Sequence, residues 1–368
     1  VERKGCLIYT LGSDTAAIGN YSLTGNDFTL AIANLREAVL VTQMKGSFFP
    51  DGQLKTAEGS IYKPSVNRDS GLVYSFTLWC VGDTTYIQLR RNANSVVQKY
   101  PVKIMVANSL GGFALVYMPA LLVNYALSGN KDSIASHHIV FNSARDFSIR
   151  KLGAKDFSAG SSVMGYFTLH LDGNGDLRTV DGIGSTWNVR GTVIAPVNMD
   201  SVIAAWVKND RIRPHAAIVN KLDSTEATIG GGGVKIRYSR PAVRGRQIFG
   251  EVVPYGRFWR TGADAATKLT TSQPLYFGGK ELPPGQYSLW TLPAKDGWTL
   301  MINSQADIWG TEYHADKDVL RVPMTVGQLN DKVELLTIQV VPEDSAGRIE
   351  VSWDRVKAVV GFSLFPGK

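Results

Sequence analysis

The chain has 368 residues, 44% of them hydrophobic and 19% charged, with 37 glycines and a formal charge of +7. That length exceeds one ordinary core and the composition is globular, so these figures exclude a disordered chain and point to two or three domains. The charge surplus comes without a recognition helix, a zinc-finger spacing or a ribonucleoprotein motif, which excludes the usual kinds of nucleic-acid protein.

The numbering opens at Val1 and passes at once into a strand-like run. This suits a mature chain whose signal peptide has been removed, with a secreted or periplasmic address. Residues 6–12, 14–25, 27–35, 38–48, 53–63, 72–82 and 84–91 are short runs of strand-forming residues separated by Gly, Asn or Asp. That is the pattern of an antiparallel β-meander or half-barrel. Cys6 and Cys80 both sit in apolar runs of this kind. A single bridge in an oxidising compartment and two buried free thiols fit equally.

Residues 104–130 carry no charge and are long enough to cross a bilayer. Asn108, Gly111, Gly112, Pro119 and Asn124 interrupt the apolar character. The segment therefore reads as a strand, a glycine turn and a buried helix from Pro119 to about Leu127, not as a membrane span. Strands resume over 136–142, 146–153, 163–173, 176–182 and 186–196. His137 and His138 are neighbours in a strand and so point to opposite faces, which keeps them from sharing a metal. Asp172 to Asp176 resembles the start of a calcium loop, but Leu177 and Ile183 stand where Gly and Glu are needed, so a tight hairpin turn is expected. Residues 198–210 read as a helix with Asn198 or Asp200 as its N-cap.

Four consecutive glycines, Gly230 to Gly233, are followed by a strand-like run without the Lys-Ser or Lys-Thr of a phosphate loop. Residues 225–234 are accordingly expected to be a linker between an N-terminal antiparallel β domain, 1–224, and a C-terminal domain, 235–368. About eight strands beyond it give the count of a β-sandwich. The fold class is mainly β, with one or two short helices in the first domain.

The C-terminal part carries Ser239-Arg-Pro241, Arg244-Gly-Arg246, Val253-Pro-Tyr-Gly256, Trp259-Arg-Thr-Gly-Ala263, Leu282-Pro-Pro-Gly285, Trp309-Gly310 and Lys317-Asp-Val-Leu-Arg321. Together these motifs resemble the bacterial exported family catalogued as domain of unknown function 2911, over roughly 224–366. The resemblance implies an exported bacterial protein and no particular reaction. The first 220 residues are loosely similar, in strand pattern alone, to the half-barrels of lipoprotein carriers, which implies a lipid-like ligand by fold analogy.

No GxSxG elbow, HExxH helix, Walker loop or CxxC pair occurs, so the sequence leans away from an enzyme and implies no cofactor. Residues 234–268 instead hold eight basic side chains against Glu251 and Asp264. Guanidinium groups bind carboxylate, phosphate or sulfate bidentately, and aromatic faces stack on sugars. Arg244, Arg246, Tyr255, Arg257, Trp259 and Arg260, with Trp309, Tyr313 and Asp318, are thus the candidate surface for an anionic or glycan ligand. The competing reading makes the arginines clamps that pin long loops over one end of the sandwich. A surface assembly or homo-oligomer is the alternative function, and a hydrolase using Asp316 and Asp318 a third.

Overall fold

The computed structural model describes residues 2–35, 39–64, 71–107, 132–140, 143–212 and 220–366, and the expected helix over 119–127 lies outside them. The chain divides into two compact units, Val1–Ile218 and Val219–Lys368.

The first unit holds β1 (Glu2–Leu11), β2 (Asp14–Thr24), β3 (Asp27–Asn34), β4 (Leu40–Phe48), β5 (Leu54–Tyr62), β6 (Leu72–Val81), β7 (Thr84–Arg91), β8 (Asn94–Tyr100), β9 (Val106–Ala107), β10 (Ser133–Val140), β11 (Ser143–Lys151), β12 (Asp156–Ser161), β13 (Gly165–Leu171), β14 (Leu177–Asp181) and β15 (Arg190–Ile194). They form one sheet in the order β8-β7-β6-β5-β4-β3-β2-β1-β15-β14-β13-β12-β11-β10-β9. The pairing is antiparallel except between β9 and β10. β1 lies in the middle, paired on one side with β2 and on the other with β15, and the sheet is not a closed barrel. β8 and β12 go beyond the strands read from the sequence.

Alternation gives this sheet one face that is apolar along most of its strands. The register aligns Leu30, Met44, Gly59 and Phe76 across β3 to β6, and the three side chains among them are buried. Glycines on this face sit opposite large rings. Phe28 faces Gly46, Phe76 faces Gly59 and Tyr9 faces Gly191, each ring so close that a methyl group on the glycine would collide with it. The missing side chain gives the ring a place against the neighbouring backbone, a device that anchors register in curved sheets.

Part of the opposite face is covered by the helix α1 (Met199–Ile212). The Asn198 side chain accepts the Ser201 N–H at 3.0 Å, so of the two N-caps the sequence offers, Asn198 rather than Asp200 fills the position. Val202, Ile203 and Trp206 pack on Cys6, Ile18, Ala33, Val41 and Tyr62. Asn20 exchanges hydrogen bonds with the backbone of Val197, at 2.7 and 3.1 Å, and fixes where the helix begins.

Cys6 lies under this helix, and burial pushes its thiol up to about 11. Cys80 lies on β6, on the other face, where its thiol donates to the Leu54 carbonyl at 3.3 Å. Both cysteines are free. Five strand spacings of about 4.8 Å separate β1 from β6, far beyond the reach of a disulfide.

Asp172 fixes the β13–β14 hairpin by accepting the N–H groups of Asn174 and Asp176, at 2.8 and 3.0 Å, and its other oxygen accepts from Arg178. No helix among the described residues is long and apolar enough to cross a membrane.

The second unit contains β16 (Lys221–Ile229), β17 (Gly232–Arg240), β18 (Thr267–Thr271), β19 (Leu275–Phe277), β20 (Lys280–Leu282), β21 (Gly285–Ala294), β22 (Gly297–Asn303), β23 (Asp318–Glu343) and β24 (Ala346–Ser363). The glycine run corrects the expected linker. Gly230 and Gly231, with φ of 56° and 88°, form the two-residue turn of the β16–β17 hairpin, a conformation that glycine reaches without strain. Ile229, Val234, Ile236 and Tyr238 on either side of it are buried.

The strand order is β16-β17-β18-β21-β22-β23-β24-β19-β20. The sandwich forms because the 26-residue β23 serves two layers. Its beginning pairs with β22, and from Thr325 onward it pairs with β24. Its later half also lies against β17, where the Tyr238 hydroxyl donates to the Ile338 carbonyl at 3.2 Å and accepts the Ile338 N–H at 3.0 Å. Arg240 fastens the same crossing through the Leu336 carbonyl at 2.8 Å and Asp223 at 3.0 Å.

Two predictions follow from the first unit's apolar face. A methyl group at Gly59 would meet the Gln43 carbonyl oxygen and lie 2.7 Å from Phe76 Cζ, so Gly59→Ala is expected to lower stability by about 1–3 kcal/mol in urea titrations. His138 is 0% exposed, rests on Phe147 at 5.5 Å and has no hydrogen-bond partner at either ring nitrogen. Desolvation, reinforced by the Arg145 charge, lowers its pKa to about 4, although Asp146 pulls the other way. The unfolded chain therefore takes up this proton first, and the stability held with neutral His138 above about pH 6.5 is lost as the pH falls toward 4. His138→Leu should remove up to about 3 kcal/mol of that acid-induced loss, read as the difference between parent and variant melts across the window.

Candidate ligand-binding site

The residues proposed from the sequence as one recognition surface take up separate positions in the second unit. Trp259 belongs to the core. Its indole N–H donates to the Gly262 carbonyl at 3.0 Å, and its ring stacks on Trp353 at 5.7 Å and meets Trp298 edge-on at 6.2 Å. Phe249 closes the cluster 4.8 Å from Trp298. The backbone of Trp259 bonds in both directions with Thr291, which ties the loop to β21.

Arg246 turns back onto its own loop, donating to the carbonyls of Ala242 at 2.6 Å and Val243 at 3.1 Å. Arg244 is held through its backbone N–H by Glu334 at 2.8 Å. Arg260 lies across Gly310 and donates to that residue's carbonyl at 3.2 Å, so even a methyl group at position 310 would displace the guanidinium stem. Trp309 forms a backbone bridge with Ala265. These contacts are loop clamps.

Tyr255 and Arg257 are exposed. Phe258, passed over in the sequence reading, is 46% exposed beside Tyr313, 4.3 Å between ring centroids. Tyr313 donates its hydroxyl to Asp318, and burial together with that carboxylate pushes its pKa well up. Asp318, its side chain 6% exposed, also accepts from Asn303 at 2.9 Å and from Arg321 at 2.8 Å. Asp316 is solvent-facing and paired with Lys317 at 3.2 Å. The two carboxylates expected to work together thus occupy different environments, one saturated by donors and one on the surface. Among the described residues no group of three or more His, Cys, Asp or Glu side chains could hold a metal ion.

A different site lies in the first unit, on the polar face of β3 to β7. Side chains pointing to this face form rows across the strands. One row is Thr29, Lys45, Glu58, Thr77 and Gln88, and the next is Ala31, Gln43, Ser60, Ser75 and Arg90. Between them runs the backbone of Leu30, Met44, Gly59 and Phe76, whose side chains point to the other face. The result is a groove of about 520 Å³. Two-residue and inter-strand spacings make it about 7 Å wide and about 19 Å long.

Both flanks are built. Beyond the Gln43 row come Ile18, Ala33, Val41 and Tyr62, roofed by α1. Beyond the Lys45 row lie Trp79 and Tyr86, stacked 5.4 Å apart at 8°. The charges inside are largely matched. Lys45 pairs with Glu58 at 2.9 Å, while Arg90 donates to Gln88 at 2.5 Å and Thr77 at 3.4 Å. No single sequence motif marks these residues; only their shared parity, once strand register is known, brings them together.

The second unit is therefore a β-sandwich with a tryptophan-centred core and clamped loops, and the first a single, almost wholly antiparallel sheet with a polar groove. Residues 221–362, the second unit's strands, match the family described as Protein of unknown function (DUF2911). No curated protein matches the chain.

The division between core and surface can be measured. Trp259→Ala should cost about 3–5 kcal/mol of stability, whereas Tyr255→Ala should stay within about 0.5 kcal/mol, both read from urea unfolding monitored by circular dichroism.

Proposed function

We propose that the protein is a non-catalytic binding protein whose first unit takes an oligosaccharide or similar polyhydroxylated ligand in the β3–β7 groove. The observation that carries this reading is the lining. Gln43, Ser60, Ser75 and Thr77 offer amide and hydroxyl groups in two rows, and the charged members come to one net positive charge. Such a surface suits a neutral or weakly acidic polyol better than a lipid tail, which needs apolar walls, or a nucleic acid, which needs several cations. The floor is backbone already paired within the sheet, so a peptide cannot enter by adding a strand. No histidine or cysteine lines the groove, and Glu58 is engaged by Lys45, which favours recognition over reaction. The export implied by the sequence resemblance agrees with a role in meeting glycans outside the cytoplasm.

The test is a glycan array of neutral and acidic oligosaccharides, followed by calorimetric titration of the strongest hit. Gln43→Ala and Arg90→Ala should each weaken binding by roughly tenfold, the equivalent of about 1.4 kcal/mol, without shifting the melting temperature. Failure of the parent protein to bind any oligosaccharide on the array, or full retention of binding by both variants, rules the groove out.

A further inference from the structure

Sheet edges offer unpaired backbone groups, and among the described residues three of the four sheet edges are blunted. β9 has two residues and β20 three, while β16 carries Lys221, Asp223 and Glu226 along its length. Short length and charge are the usual protections against edge-to-edge pairing.

The fourth edge, β8, is the least protected. It is seven residues long, Asn-Ser-Val-Val-Gln-Lys-Tyr, with no proline and with Lys99 as its one charge. Val96 and Val97 are 58% and 52% exposed, one on each face of the sheet. Asn92 and Ala93 form the two-residue loop from β7, so Arg91 and Asn94 make the hydrogen-bonded pair that closes the hairpin. Alternation then aims the backbone groups of Ser95, Val97 and Lys99 away from β7 and into solvent.

We propose that two copies of this chain join through β8, antiparallel about a twofold axis at Val97. In this register Val97 faces Val97 of the other copy, Val96 faces Gln98, Ser95 faces Lys99 and Asn94 faces Tyr100. The strand is self-complementary there, as an isologous interface requires. No two like charges meet, both valines lose solvent, and the outward backbone groups of Ser95, Val97 and Lys99 find partners. A second copy fits better than an unrelated peptide because the twofold at Val97 pairs the whole strand, Asn94 to Tyr100, with itself and sets Lys99 against Ser95 rather than against another charge.

The test is analytical ultracentrifugation of the full chain up to its solubility limit. The parent should sediment as a species of twice 40.1 kDa in reversible exchange with the monomer. Val97→Pro removes only an outward N–H and leaves the β7 ladder intact, so it should be monomeric with an unchanged circular dichroism spectrum. Val96→Lys gives the same result by adding charge to the seam, and serves should the proline variant fold poorly. A parent that remains monomeric at every concentration, or a dimer that survives in folded Val97→Pro and Val96→Lys, overturns the proposal.

Discussion

Parity is the constraint on which the first unit depends. Side chains alternate between the faces of a strand, so a slip of one residue in any pairing would turn a whole strand's apolar set toward water. From β1 to β7 the register shifts only near strand ends, at Tyr9/Thr10, Ser47/Phe48 and Ile61/Tyr62, and rings seated on glycines fix it between those points. Phe76 can lie against Gly59 in one alignment only, because one residue to either side the backbone carries a side chain. The polar groove follows from the same rule. Its walls are the residues that the apolar face excludes, and its floor is the backbone of those it keeps.

The second unit solves a different problem, which is to hold long connections over a sandwich. Trp259 is driven into the core by its area and secured by its indole N–H, and the arginines around it then donate to carbonyls of the loops. Arginine suits this work because its planar fork can reach two acceptors at once, as Arg246 does with Ala242 and Val243. A cluster of basic residues in sequence becomes, in space, a set of separate ties. Tyr255, Arg257 and Phe258 remain on the surface of the same loop.

Much of this architecture was legible in the sequence. Alternating runs bounded by Gly, Asn and Asp marked most strands, and Asn198 marked the start of α1. β8 and β12 were not legible for opposite reasons. Adjacent Val96 and Val97 break the alternation, since an edge strand has no face that must be apolar throughout, and Ser158 to Ser161 offers little bulk to reveal a pattern. The four glycines were misread because composition says nothing of pairing; the buried alternation of Val234, Ile236 and Tyr238 immediately beyond was the better guide. The groove could not be read at all. Gln43, Ser60, Ser75 and Arg90 are ordinary outward residues on four strands, and register alone makes them neighbours.

The central place of β1 also has a meaning in time. Its contact with β2 is local, but its other edge waits for β15, with Cys6 opposite Ile194. At translation rates of about 5–20 residues per second, the ribosome needs roughly 10–40 seconds to deliver that partner. Throughout that interval the growing meander presents an open strand at its middle, and the loop that must close is one of the longest in the chain. The joining of the two arms is therefore the longest-range strand pairing among the described residues of the first unit, and the one that carries its largest loop-closure cost.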